Sequence, residues 1–245
     1  MDTTSTNQDH GTVAMVHGFT GESSWFVQLL FTLQNLGFIT CAIDHQGHGF
    51  SDGLQCHIPD INPVVDDCIN YFDLFRAQHS QSLPYHGLGL FLGAMCGISP
   101  KFKPPWPLEH FLSVVAWVVP TWQVVPTRGS IPLVSFKEEW KRKLTVASPR
   151  HSQARPREAT ALELLRVCRE VQERFGEIEV QLLIIHGGDD VVCDPACAEE
   201  LYKKAARESQ EDVDVDLVFN CVIEWLRERA ERAAAGGGDG ESSVA

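Results

Sequence analysis

Asp44-His45-Gln46-Gly47-His48-Gly49-Phe50-Ser51-Asp52-Gly53 crowds glycines and histidines into a loop directly after Phe38 to Ile43, an apolar run of β-forming residues. A buried parallel strand reads as just such a continuous apolar run. The loop holds a Gly-x-Ser-x-Gly string, Gly49 to Gly53, the pattern of a nucleophile elbow. An elbow needs a strand before it and a helix directly after it. Leu54 to Pro63 follows instead, with Pro59 and Pro63 and no helical face, so Ser51 is rejected as a nucleophile.

The same alternation continues on either side. Thr12 to His17 is a short apolar run ending at Gly18, a second buried strand. Trp25 to Leu36 carries Phe26, Leu29, Leu30 and Leu33 at helical spacing, with Gly37 as its stop. Ile61 to Ala77 reads as a helix with Val64, Val65, Cys68, Ile69, Phe72 and Phe75 on one face. Tyr85 to Leu92 reads as a third strand and Val180 to Ile185 as another. Ala159 to Phe175, Pro195 to Arg207 and Leu217 to Arg229 read as helices. Strands alternating with helices predict an α/β, doubly wound, mostly parallel sheet. Between them, a proline-rich boundary at Lys101 to Pro107, a bulky apolar helix and a basic stretch read as an inset helical cap over about residues 101–158. The domain is expected over residues 11–232, with 233–245 as a disordered tail.

Composition narrows the partners. The 245 residues are 44% hydrophobic and carry a net charge of −13, which argues against nucleic acid or an anionic membrane as the main partner. Eight cysteines lack any Cys-x-x-Cys pair, and Cys193 with Cys197 makes only a weak metal signal. No metal or cofactor is expected, and reduced thiols of an intracellular protein are the favoured reading. The segment from Met1 to Gly11 has no signal pattern, and the apolar run Phe111 to Trp122 is too short to span a bilayer. A cytoplasmic protein is expected, with peripheral membrane contact through the cap as the alternative.

The loop Asp44 to Gly53 resembles the Asp-x-x-Gly-His-Gly-x-Ser-x-Gly loop of the monoacylglycerol lipase-like branch of the α/β-hydrolases, most closely plant members such as caffeoylshikimate esterases. The similarity recurs at Met95-Cys-Gly-Ile-Ser-Pro100, Pro104-Pro-Trp-Pro-Leu108, Gly188-Asp-Asp-Val-Val-Cys-Asp-Pro195 and Val218 to Leu226. It implies an α/β-hydrolase fold and hydrolysis of acylglycerol, lysophospholipid or phenolic esters by a Ser-Asp-His triad, without cofactors. It places Asp190 as the catalytic acid and the backbone N–H of Phe19, in His17-Gly18-Phe19-Thr20-Gly21, as an oxyanion-hole donor. Aligned on Leu83-Pro84, it places Phe91 of Gly89-Leu-Phe-Leu-Gly93 where the serine belongs. The triad histidine follows the acid in chain order, yet the last of the ten histidines is His186.

Two stretches also look shortened. Only Ala94 to Pro100 separates Gly93 from the cap boundary, too little for a crossover helix and strand. Glu208 to Asp216 is too acidic for a buried strand, although its Val/Asp alternation suits a short edge strand. His17, His45 and His48 are expected to hold loops rather than act as bases, Asp194 to cap a helix, and His186 to be structural. Trp106, Phe111, Trp117 and Trp122 either line a pocket or pack the cap. The functional expectation is an ester-hydrolase relative with impaired catalysis, and the alternatives are a ligand-binding or regulatory protein and a truncated gene product.

Overall fold

The computed structural model describes residues 11–79, 88–103, 108–123, 136, 138–149, 155–205, 210–211 and 215–236. Leu83-Pro84, Trp106, parts of the cap and residues 237–245 lie outside them. Strand β1 (Gly11–Val16) pairs in parallel with β2 (Phe38–Ile43), from Gly11 opposite Phe38 to Val16 opposite Ile43. The crossover helix α1 (Val27–Asn35) buries Leu29 and Leu33 on this pair. It ends where the Leu36 and Gly37 N–H groups bond the Leu33 and Gln34 carbonyls, with Gly37 in the left-handed region at φ +85°. Helix α2 (Asn62–His79) leads on toward β3 (Leu88–Leu92). Strand β3 pairs in parallel with β4 (Gln181–Ile185), and β4 with the two-residue β5 (Gln210–Glu211).

The described strands thus form two parallel sheets, β1-β2 and β3-β4-β5. One core joins them: Met15 of β1, Phe38 of β2, Leu183 and Ile185 of β4, Leu29 and Leu33 of α1, and Val222, Trp225 and Leu226 of the last helix. On the opposite face of β4, Leu182 and Ile184 pack with Phe175 and Leu201. Both faces of β4 are therefore covered, as in the interior of an α/β sheet. The C-terminal ends of β1 and β3 are less covered, with Val16 at 45% and Leu92 at 44% exposure.

The remaining helices are α3 (Leu108–Val118), α4 (Glu139–Ala147), α5 (Glu158–Glu173), α6 (Pro195–Lys204) and α7 (Val215–Gly236). In the inset cap, α3 meets α5 through buried Leu112 and Leu165. Asp194 caps α6 by accepting from the Ala196 N–H, with Pro195 in the first turn.

Three expectations have a structural outcome. Phe111, Trp117 and Trp122 are 58%, 85% and 60% exposed, so none of them is buried in the cap. The closing helix runs on through 233–236, because alanine, the best helix former, fills that stretch up to Gly236. The short edge strand that the acidic segment allowed is present at Gln210 and Glu211, which pair with Ile184 and Ile185, the end of β4.

Candidate active site

The loop after β2 is tied to one carboxylate. Asp44 accepts from the N–H groups of Ser23 at 2.7 Å and Phe50 at 3.0 Å. Burial opposes its ionisation, but these donors outweigh burial and hold Asp44 below the usual carboxylate range. Gly49 sits at φ +53°, and a Cβ there would fall inside the Asp44 carboxylate. Ser51 Oγ donates to the Asp44 carbonyl at 2.7 Å. The hydroxyl is committed to closing the loop, and turns and bends follow it up to α2. The Gly-x-Ser-x-Gly string here is structural.

The turn after β1 stores strain. Gly21 N–H bonds the Gly18 carbonyl at 2.9 Å, and buried Thr20 takes φ +66°. A β-branched residue in the left-handed region is an outlier that its surroundings must impose. Among the described residues the Phe19 N–H makes no hydrogen bond. A backbone donor left open at a strand-to-helix turn is what an oxyanion site requires.

Three imidazoles support this turn. His17 Nδ1 donates to the Gly18 carbonyl at 2.9 Å, and its Nε2 accepts from the His45 N–H at 3.1 Å. His45 Nε2 donates in return to the His17 carbonyl at 3.2 Å, leaving its Nδ1 lone pair 3.9 Å from Cys68 Sγ. The His17 ring lies 4.4 Å from that of His45 and 5.3 Å from that of His48, between centroids. His48 Nδ1 donates to the Gln46 carbonyl at 3.1 Å. Burial, then the neighbouring imidazoles, pushes the pKa of both His17 and His45 down. Both His17 nitrogens are engaged and the His45 ring is buried, so these side chains build the turn.

Asp190 lies beyond β4. Its Oδ1 accepts from Val192 N–H at 2.8 Å and Cys193 N–H at 3.0 Å. Its Oδ2 lies 3.6 Å from His186 Nε2. The His186 side chain is 5% exposed, and among the described residues neither ring nitrogen has a hydrogen-bond partner. Asp190 is therefore held as an orienting acid would be, and among the described residues the imidazole beside it, that of His186, is enclosed. Among the described residues Asp190 and Phe19 share no hydrogen bond or ion pair.

Phe91 does not stand at a turn, as alignment to an elbow serine predicts. It lies inside β3 opposite Ile184 and packs on the core around Phe175. The left-handed residue after the strand is Gly93, at φ +60°. Its N–H bonds the Ile185 carbonyl at 2.8 Å, and an isolated bridge from Ile98 to Cys193 follows instead of a helix. A strand-helix elbow is not formed at β3.

One positioning residue escaped the sequence reading. Thr160 of α5, fully buried, accepts from the Ile58 N–H at 2.9 Å and donates to the Cys56 carbonyl at 3.2 Å. Beside it, Glu163 accepts from the Ile61 N–H at 2.9 Å. The contacts tie the glycine-histidine loop to the helix after the cap. No local pattern links positions a hundred residues apart.

This architecture is the α/β-hydrolase fold. The family described as Hydrolase_4, Serine aminopeptidase, S33, matches residues 7–94 and 88–215, and the chain belongs to it. The two matched stretches overlap across β3. Caffeoylshikimate esterase of Arabidopsis thaliana is 25% identical over 263 residues, 91% of this chain and 79% of that protein. A monoglyceride lipase structure from Saccharomyces cerevisiae superposes with a TM-score of 0.74 at 15% identity, covering 89% of this chain and 86% of that one. The Paleococcus ferrophilus monoacylglycerol lipase gives 0.70 at 17% identity, covering 90% and 95%. These relatives place the chain on the monoacylglycerol lipase-like, ester-hydrolase side of the fold.

Proposed function

We propose that this chain descends from carboxylic-ester hydrolases of the monoacylglycerol lipase or phenolic-ester type, lacks serine catalysis, and binds such esters. The observation that carries this reading is β3, which ends in Gly93 and a bend where an elbow would need a serine and a helix. The doubled family match over residues 88–94 supports the loss of a strand and its helix at that point.

Acyl transfer requires a nucleophile, a base to take its proton, an acid to orient the base, and N–H donors for the oxyanion. Asp190 would be the acid and the Phe19 N–H one donor. Phe91 carries no nucleophilic atom, and no histidine follows Asp190 within these residues. Loss of a single triad member already leaves only about 10³ to 10⁴-fold catalysis over water. Two are absent here, so ligand binding is the function left to the site.

The outward Phe111, Val114, Trp117 and Val118 of α3, with Trp122 beyond it, support peripheral membrane contact through the cap. No described helix is long and apolar enough to cross a membrane. Eight free thiols suit a reducing compartment such as the cytoplasm.

The test is a fluorophosphonate probe on purified protein, paired with thermal-shift screening. The expected result is no label, together with stabilisation by a monoacylglycerol or a phenolic ester. Stoichiometric serine labelling would overturn the loss of catalysis, and the absence of any stabilising ester would overturn the binding role. The overlap at β3 also favours a shortened gene product. Transcript sequencing that restores an elbow serine and a later histidine would establish that reading instead.

A further inference from the structure

Helix α2 buries none of its residues, although one face is apolar. Val64, Cys68, Phe72 and Phe75 are half-buried. Val65 and Ile69, one turn apart, stand 47% and 54% exposed. Ile69 has Asp66 three residues before it and Asp73 four residues after it, so an acidic row borders the apolar one. Among the described residues no ion pair engages either carboxylate. Helix α4 carries the complementary pattern. Trp140 and Leu144, also one turn apart, stand 63% and 54% exposed, and the side chain of Lys143 beside them is 76% exposed.

We propose that two copies of this chain associate with α2 of one copy against α4 of the other, in a two-fold arrangement that makes the contact twice. Trp140 and Leu144 of one copy pack on Val65 and Ile69 of the other, and Lys143 meets Asp73. Charge selects this occupant. A lipid surface would leave both carboxylates against the headgroup boundary, whereas the uncharged row on α3 suits lipid. Paired α2 faces would set Asp73 against its own copy, whereas α4 brings a cation. Lys143 contacts its own Glu139 at 2.8 Å, an exposed pair of little strength that can exchange partners. The net charge of −13 opposes self-association at long range but is screened beyond about 8 Å at physiological salt. A two-fold interface is self-complementary, so each helix serves as donor and acceptor once.

Sedimentation velocity on the full chain across a dilution series tests this. A dimer is expected. Ile69→Lys and Trp140→Glu should each give monomer with unchanged circular dichroism, since both side chains are exposed. Asp73→Lys should weaken the dimer roughly fivefold, with Lys143→Asp in the same chain restoring it. Trp117→Ser on α3 should leave the mass unchanged. If Ile69→Lys disturbs folding, Trp140→Glu on the other helix carries the test. A monomer at every concentration overturns the proposal. So does a dimer that survives both α2 and α4 variants, or one that only Trp117→Ser dissolves.

Discussion

Removing the Thr160 hydroxyl should loosen the loop that carries the glycines and histidines. Thr160→Val keeps the side-chain volume but leaves the buried Ile58 N–H without its 2.9 Å acceptor and the Cys56 carbonyl without its 3.2 Å donor. An unsatisfied buried backbone group costs about 1–3 kcal/mol. The carbonyl contact is the longer, and a carbonyl has a second lone pair, so the N–H carries most of the loss. The sum is about 2 kcal/mol, or roughly 4–8 °C in Tm for a domain of this size. Thr160→Ser keeps the hydroxyl and loses one methyl, which costs about 0.8 kcal/mol. Urea unfolding followed by tryptophan fluorescence separates the two variants. Thr160→Val near wild type, or Thr160→Ser as damaging as Thr160→Val, would refute the latch.

Three further outcomes follow from the same geometry. His17 and His45 titrate below the ordinary imidazole value of about 6.5 in the fold. Above that pH both states are neutral; below it the unfolded chain takes up protons that the native state refuses, so stability should fall as pH drops through about 6.5. Urea midpoints that hold steady or rise on acidification across that window would contradict this. Gly49→Ala forces a Cβ into the Asp44 carboxylate at positive φ, and should cost about 2–4 kcal/mol by chemical denaturation; a cost under about 0.5 kcal/mol would show that the loop gives way. Burial first, then neighbouring anions, pushes the Cys193 thiol up to about 12 and burial first pushes Cys96 and Cys168 up to about 11. Iodoacetamide at mildly alkaline pH should leave these three unmodified until denaturant is added, as read by peptide mass mapping; prompt native alkylation would show the thiols to be accessible and ionisable.

The alternation of apolar runs and helical faces was enough to read the parallel strands, because β1, β2 and β4 are continuous hydrophobic stretches. The loop from Asp44 to Gly53 was legible for a different reason: glycines at positive φ and an aspartate that ties two backbone donors leave a fixed spacing in the chain. Asp194 likewise announced its cap through Pro195. Three things were not legible. The apolar run Tyr85 to Leu92 already sets Phe91 in a strand, but only the register shows its partner, Ile184 of β4. The break between the two sheets is a matter of which edges pair, and apolar runs do not encode partners. The outward face of α3 is as hydrophobic as a core face, so periodicity alone could not say which side of Leu112 met water.

The central claim is that a hydrolase fold persists here without hydrolase chemistry, and turnover of a nitrophenyl butyrate ester by wild type and Asp190→Ala tests it most directly. The account predicts that kcat/KM is indistinguishable between the two and close to the rate with denatured protein, because the acid has no base to orient. Saturable turnover by wild type that Asp190→Ala abolishes would contradict it.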